Sequence, residues 1–166
     1  MNKIRLKKFS LSLVILITIF LIDRLTKVYI LKLLEVESSV DLYLTSYLNL
    51  YLIWNKGIAF GLLSINESVM YNTITLIIGI IIIIILFAMW KNGNIQRYFL
   101  ALIAGGAMGN IYDRIVYTAV PDFIDLHFYG FHWFVFNVAD IFITVGVTCL
   151  IFDEIIVNNR KNEKNF

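Results

Sequence analysis

The chain has 166 residues, a mean hydropathy of +0.80 and a formal charge of only +2, with 60% of its residues hydrophobic. That is more apolar than the roughly 45–50% of a soluble domain, so a water-soluble globule is excluded and a single integral membrane domain over residues 1–166 is expected. The basic residues form short clusters with no stripe that could follow phosphates, which argues against nucleic acid as a partner. Cys149 is the only cysteine, so no intrachain disulfide can form, and its apolar setting reads as a small buried hydrophobe.

A bilayer core about 30 Å thick takes about 20 residues per helix, and four spans fit the chain. The first is expected over about 10–34. Lys3, Arg5, Lys7 and Lys8 followed by Leu11 to Ile22 resemble a secretory leader. No small-x-small cleavage site follows, however, and the pattern runs on through Asp23, Arg24 and Lys27 to Leu34, so the segment reads as a retained span. From Asp41 to Ile53, leucines alternate with Tyr43, Thr45, Tyr47, Asn49 and Tyr51, a period of two that predicts a strand. Asn55-Lys56-Gly57 supplies a turn, and Ile58 to Phe60 is expected to return as a partner strand. This β segment, about 41–61, forms a small sheet with one apolar face at the membrane surface.

The second span, about 68–90, has no charge between Ser68 and Trp90. The third, about 98–116, contains Gly105, Gly106 and Gly109, which permit close helix approach, and ends near Asp113 and Arg114. The fourth, about 135–156, has Asp140 near its start, and the tail from Asn158 is expected to fray. The N-terminal stretch, residues 91–97 and the tail hold nine of the 14 Lys and Arg residues, which predicts that both termini are cytoplasmic and that Asp23, Asp113 and Asp140 lie near the outer surface.

HExxH and GxSxG are absent from the sequence, which disfavours zinc-peptidase and serine-nucleophile chemistry. His127 and His132, among Phe128, Tyr129, Phe131, Trp133 and Phe134, lack i, i+4 spacing and read as aromatic-belt neighbours, not as metal ligands. What remains is a set of polar pairs sharing helical faces: Asn110 with Asp113, Asn137 with Asp140, and Asp23 with Lys27. Asp23 with Lys27, and Asp113 with Arg114, can be simple charge neutralisation. Asp140 has no cation within a helical turn, so its partner comes from elsewhere. With Asp113 committed to Arg114 or Lys27, Asp122 and Asp125 remain, and Pro121 is expected to start a helix that holds Asp122 in its first turn. Two carboxyls brought together cannot both ionise, and such a pair shares one proton, giving one base and one acid.

Five blocks in order carry a resemblance: Asp23 to Lys27 (DRLTK), Asn55 to Gly61 (NKGIAFG), Gly109 to Arg114 (GNIYDR), Val120 to Phe123 (VPDF) and Phe136 to Asp140 (FNVAD). Over nearly its whole length the chain resembles the bacterial lipoprotein signal peptidases, also called signal peptidase II. The resemblance implies an aspartic endopeptidase of the cytoplasmic membrane that cleaves prolipoproteins just before the diacylglyceryl-modified cysteine. It implies Asp122 and Asp140 as the catalytic pair. Asn55, Asn110, Arg114, Asn137 and Ala139 would line or brace the substrate site, supported by Asp23, Lys27 and Asp113. The implied fold is four transmembrane helices with an outward sheet between the first and second and a short interfacial helix between the third and fourth. Departures are Pro121, where the family usually has an aliphatic residue, and GIAF for a GAAF-like block. No metal or organic cofactor is required, the partners are lipidated prolipoproteins and membrane lipids, and the protein is expected to be a monomer. The rival from a different class is a non-enzymatic proton or ion carrier using intramembrane aspartates.

Overall fold

A computed structural model describes residues 3–57, 67–129 and 131–163. Its order is α1 (Lys3–Glu37), β1 (Asp41–Thr45), β2 (Leu48–Asn55), α2 (Glu67–Lys91), α3 (Gln96–Tyr117), β3 (Val120–Phe128), β4 (Phe131–Phe136) and α4 (Val138–Glu163). The four helices correspond to the four apolar runs, each overlapping its expected span. Among the described residues, α1 and α2 are long and apolar enough to cross a membrane by length and composition. Their outer faces are consistent with this, because Val14, Ile17 and Leu21 of α1 and Leu76, Ile80 and Ile84 of α2 are all exposed, an apolar surface on each helix that favours lipid over water.

Helix α3 packs against α1, α2 and α4. Its glycines make this possible: a Cβ on Gly105 would lie 2.7 Å from the Leu16 carbonyl oxygen of α1, and one on Gly106 would lie 2.6 Å from that of Ala139 in α4. The first turns of α1, the α2–α3 connection and the distal part of α4 meet at one end of the bundle. There Arg97 donates to the carbonyls of Met89 and Arg5, and Gln96 donates to Asp153. Helix α4 runs on to Glu163, so most of the tail expected to fray is helical.

At the opposite end the strands form one antiparallel sheet in the order β1-β2-β3-β4. Two expectations are corrected here, and a third falls outside the described residues. The single strand expected from Asp41 to Ile53 is a hairpin, because Ser46 and Tyr47 turn the chain and leave Thr45 opposite Leu48. The alternation continued across this tight turn and concealed it. The return strand expected at 58–60 lies outside the described residues. The short helix expected between α3 and α4 is also replaced, by the β3–β4 hairpin. The stretch is rich in β-branched and aromatic residues, and as a strand its backbone pairs with β2, which a single helical turn could not match. Pro121 is tolerated near the start of β3, where it lies opposite Trp54 of β2 and β4 pairing has not begun; that pairing starts at Ile124. The sheet is therefore built from two hairpins far apart in sequence. Leu50, Leu52, Phe123 and Ile124 pack it onto Ile30 and Leu33 of α1.

Candidate active site

Helix α4 begins with a reciprocal cap. The Asn137 side chain accepts from the Asp140 backbone N–H at 3.1 Å, and the Asp140 carboxylate accepts from the Asn137 backbone N–H at 3.1 Å. This is a capping box with Asp in the position usually held by Glu or Gln, so Asn137 precedes the helix and does not lie on its face. The other Asp140 oxygen accepts from Asn110 Nδ2 at 2.8 Å. Asn137 also extends its Nδ2 to Asp122 Oδ1 at 2.6 Å, so one asparagine touches both acids.

Asp122 reaches this point from β3. Its second oxygen accepts from Asn55 Nδ2 at 2.9 Å, and Asn55 is oriented in turn by the Gly57 N–H, which donates to its Oδ1 at 2.7 Å. Gly57 has φ +71°, and a Cβ there would press on the Arg114 guanidinium, so glycine is required both for the turn and for the space. Asp122 and Asp140 line one cavity of about 240 Å³ together with Asn55, Asn110, Arg114, Val120 and Asn137. Burial pushes the Asp122 carboxyl above the ordinary carboxylate range, against the opposing hydrogen bonds from Asn55 and Asn137, and the nearby Asp140 adds to the rise. Asp125, the other acid in the PDFID stretch, is committed elsewhere: it accepts from or donates to His132 Nδ1 at 2.8 Å and lines a different cavity.

Beneath the pair lies a buried cluster of two acids and two bases. Lys27 Nζ is 3.1 Å from Asp23 and 2.7 Å from Asp113, all three side chains being fully buried. Arg24 grips Asp113 with both terminal nitrogens, at 2.5 and 2.7 Å, and reaches Asp23 at 3.0 Å. Lys27 also donates to Asn110 Oδ1 at 2.7 Å, and because an ammonium can only donate, it fixes the Asn110 amide with its NH₂ toward Asp140. Asp23 accepts from the Ala139 backbone N–H at 3.0 Å, satisfying a donor of the first turn of α4. The cluster thus positions both the amide and the helix end that hold Asp140.

The expected pairing of Asp113 with Arg114 is not formed; among the two alternatives Asp113 takes Lys27, and with it Arg24. Arg114 instead lies over the Tyr71 ring at 5.3 Å and lines the cavity, with Nη1 buried and lacking a hydrogen-bond partner among the described residues. Arg24 is the residue that the sequence reading missed. It stands within DRLTK, but adjacent helical positions do not share a face, so the i, i+4 argument passed over it.

Gly106→Ala is expected to shift α4, since the new methyl would meet the rigid Ala139 carbonyl next to Asp140. We expect a loss of about 1–3 kcal/mol of stability, read as a lower melting temperature in detergent, with activity lost at temperatures where the protein is still folded.

The family described as "Signal peptidase (SPase) II" matches residues 15–156. The chain is 74% identical to the lipoprotein signal peptidase of Pelagibacter ubique (strain HTCC1062) over 166 residues, 99% of this chain and 100% of that protein. It is 38% identical to that of Anaplasma phagocytophilum (strain HZ) over 144 residues, covering 86% and 90% of the two chains. A solved structure titled as a bacterial membrane enzyme, determined by the in meso method at 1.9 Å resolution, superposes with a TM-score of 0.71 at 27% identity over 87% of this chain and 92% of that one. These relatives disfavour the carrier alternative, and the chain is a membrane protein belonging to the signal peptidase II family.

Proposed function

We propose that this protein is a membrane aspartic endopeptidase that removes the signal peptide of prolipoproteins by cutting before the diacylglyceryl-modified cysteine. The observation that carries this reading is the meeting of Asp122 and Asp140 at one small cavity, bridged by Asn137. Two carboxyls this close share one proton, and the protonated member acts as the acid that polarises the scissile carbonyl. The ionised member acts as the base that takes a proton from a water between the two carboxyls as it attacks. Asn55, Asn110 and Asn137 hold the carboxyls in register, and the spare donor of Arg114 orients the extended peptide through a backbone carbonyl.

All four helices span the cytoplasmic membrane, with both termini inside and the sheet on the outer interface. Beside Asp140 an apolar groove of about 440 Å³, walled by Leu126, Phe134, Phe136, Ile141 and Val145, accommodates substrate acyl chains. This arrangement suits a substrate whose peptide is polar and whose anchor is lipid. The enzyme works as a monomer, with both carboxyls of the pair on the same chain.

The direct test incubates purified protein with a diacylglyceryl-modified prolipoprotein and follows the gel shift. Cleavage of the unlipidated precursor at the same rate would overturn the substrate assignment.

The raised Asp122 carboxyl also sets a pH dependence. Its folded form binds a proton where the unfolded group, near its ordinary value of 3.8, has lost it, so its contribution to stability is greatest below that value and declines as pH rises through the higher folded value. Melting temperatures of the parent relative to Asp122→Asn should therefore fall as pH rises above about 4. A difference that stays constant or grows would contradict a raised Asp122.

A further inference from the structure

The face of the sheet that carries Asp125 holds a second cluster of donor atoms, apart from the aspartate pair. His127 and His132 are directly opposite in the β3–β4 ladder, and their rings lie 5.2 Å apart. Asp125 sits two residues before His127, with Oδ2 at 2.8 Å from His132 Nδ1 and 3.9 Å from His127 Nδ1. On the neighbouring strand Asn49 is the register partner of Asp125. The Asp125–His132 contact leaves three neighbouring atoms unused: among the described residues, Asp125 Oδ1, His127 Nδ1 and Asn49 Oδ1 are buried without a hydrogen-bond partner. The Asp125 residue itself is only 3% exposed. A buried carboxylate oxygen left unpaired is costly, and a bound cation would satisfy it.

We propose that Asp125, His127 and His132 form a binding site for a divalent transition-metal ion of the zinc class, with Asn49 Oδ1 as an additional oxygen ligand. One donor atom from each of the three residues lies within 4.8 Å of the others. Ligand atoms on a zinc tetrahedron stand roughly 3.4 Å apart, from bonds of about 2.0–2.2 Å, which falls between the 2.8 and 3.9 Å separations found here. His132 is 57% exposed at its side chain, so its ring can turn to complete the set, while Asp125 and His127 are held by the sheet. Two imidazoles and a carboxylate select zinc, nickel or copper over magnesium or calcium, which prefer all-oxygen shells. His127 and His132 lack helical i, i+4 spacing, but on paired strands directly opposite positions are the close ones. A metal here would clasp β2, β3 and β4 together three residues along β3 from Asp122.

The test is titration calorimetry of ZnCl₂ into the full-length, tag-free protein in detergent at about pH 7.5 with about one equivalent expected per chain. His132→Ala, at an exposed position, and Asp125→Asn should each weaken binding by at least about tenfold, whereas Asp122→Asn should bind as the parent does. Zn²⁺ should raise the melting temperature of the parent and not of His132→Ala, and MgCl₂ should not compete. Absence of Zn²⁺ binding, unchanged affinity in both His132→Ala and Asp125→Asn, or loss of binding in Asp122→Asn would each overturn the site. These readouts do not depend on peptidase activity.

Discussion

Asp140→Asn is expected to lower prolipoprotein processing by roughly 10²- to 10⁴-fold, the range associated with removing a positioned acid or base. Asn is nearly isosteric and retains an oxygen that can accept from the Asn137 backbone N–H, so α4 should keep its cap, while its new NH₂ faces the Asn110 NH₂ and lowers the melting temperature. Asp122→Asn should lose a similar factor, and the double variant should be little worse than either single one, because the two carboxyls act as one unit. Asp153→Asn, whose carboxylate pairs with Gln96 at the far end of the bundle, serves as the control that keeps full activity. The gel-shift assay decides the matter. Normal processing by either active-site variant would remove that aspartate from the chemistry, and strictly multiplicative losses would show that the two act separately.

Lys27→Met is expected to have the largest effect on stability. The side chain is fully buried and its ammonium touches Asp23, Asp113 and Asn110. Removing it leaves two buried carboxylates against the single guanidinium of Arg24, a loss of about 3–5 kcal/mol for breaking a buried ion pair from one side. It also releases the Asn110 amide that presents its NH₂ to Asp140, so residual folded protein should cleave slowly. Adding Asp113→Asn restores one negative charge to one positive, and the double variant should melt higher than Lys27→Met alone. A Lys27→Met protein as stable as the parent, or a double variant less stable than the single one, would show that charge balance is not what holds this cluster.

How much of this was legible in the sequence differs by element. The apolar runs predicted all four helices, because the cost of burying or exposing each side chain is a local property that accumulates along a run. The β3–β4 hairpin was not legible, since Pro121 is as compatible with a first helical turn as with the beginning of a strand. The decision came from β2, some 70 residues earlier, whose free edge pairs with Val120 to Leu126. The turn at Ser46-Tyr47 escaped for a related reason: a two-residue connection preserves period-two alternation. Asn137 was recognised as a partner of Asp140, and its spacing also fits a capping box, but the i, i+3 reading put it on the helix face instead of ahead of it.

By itself the sequence determined which groups were out of place in an apolar chain: Asp23, Lys27, Asn110, Asp113, Arg114, Asp122, Asn137 and Asp140. Charge in an apolar run is costly whatever the fold, so its presence can be read without coordinates. Only the tertiary structure decided which of them meet. Asp113 faces Arg24 and Lys27 and not its neighbour Arg114, Asp125 faces His132, and Asp122 meets Asn55 and Asn137. Partner choice depends on which helix and strand faces are packed together, and that packing is a property of the whole chain. Here it rests on the small residues of α3 that let α1 and α4 approach and on the strand pairing that carries Asp122 to the end of α4.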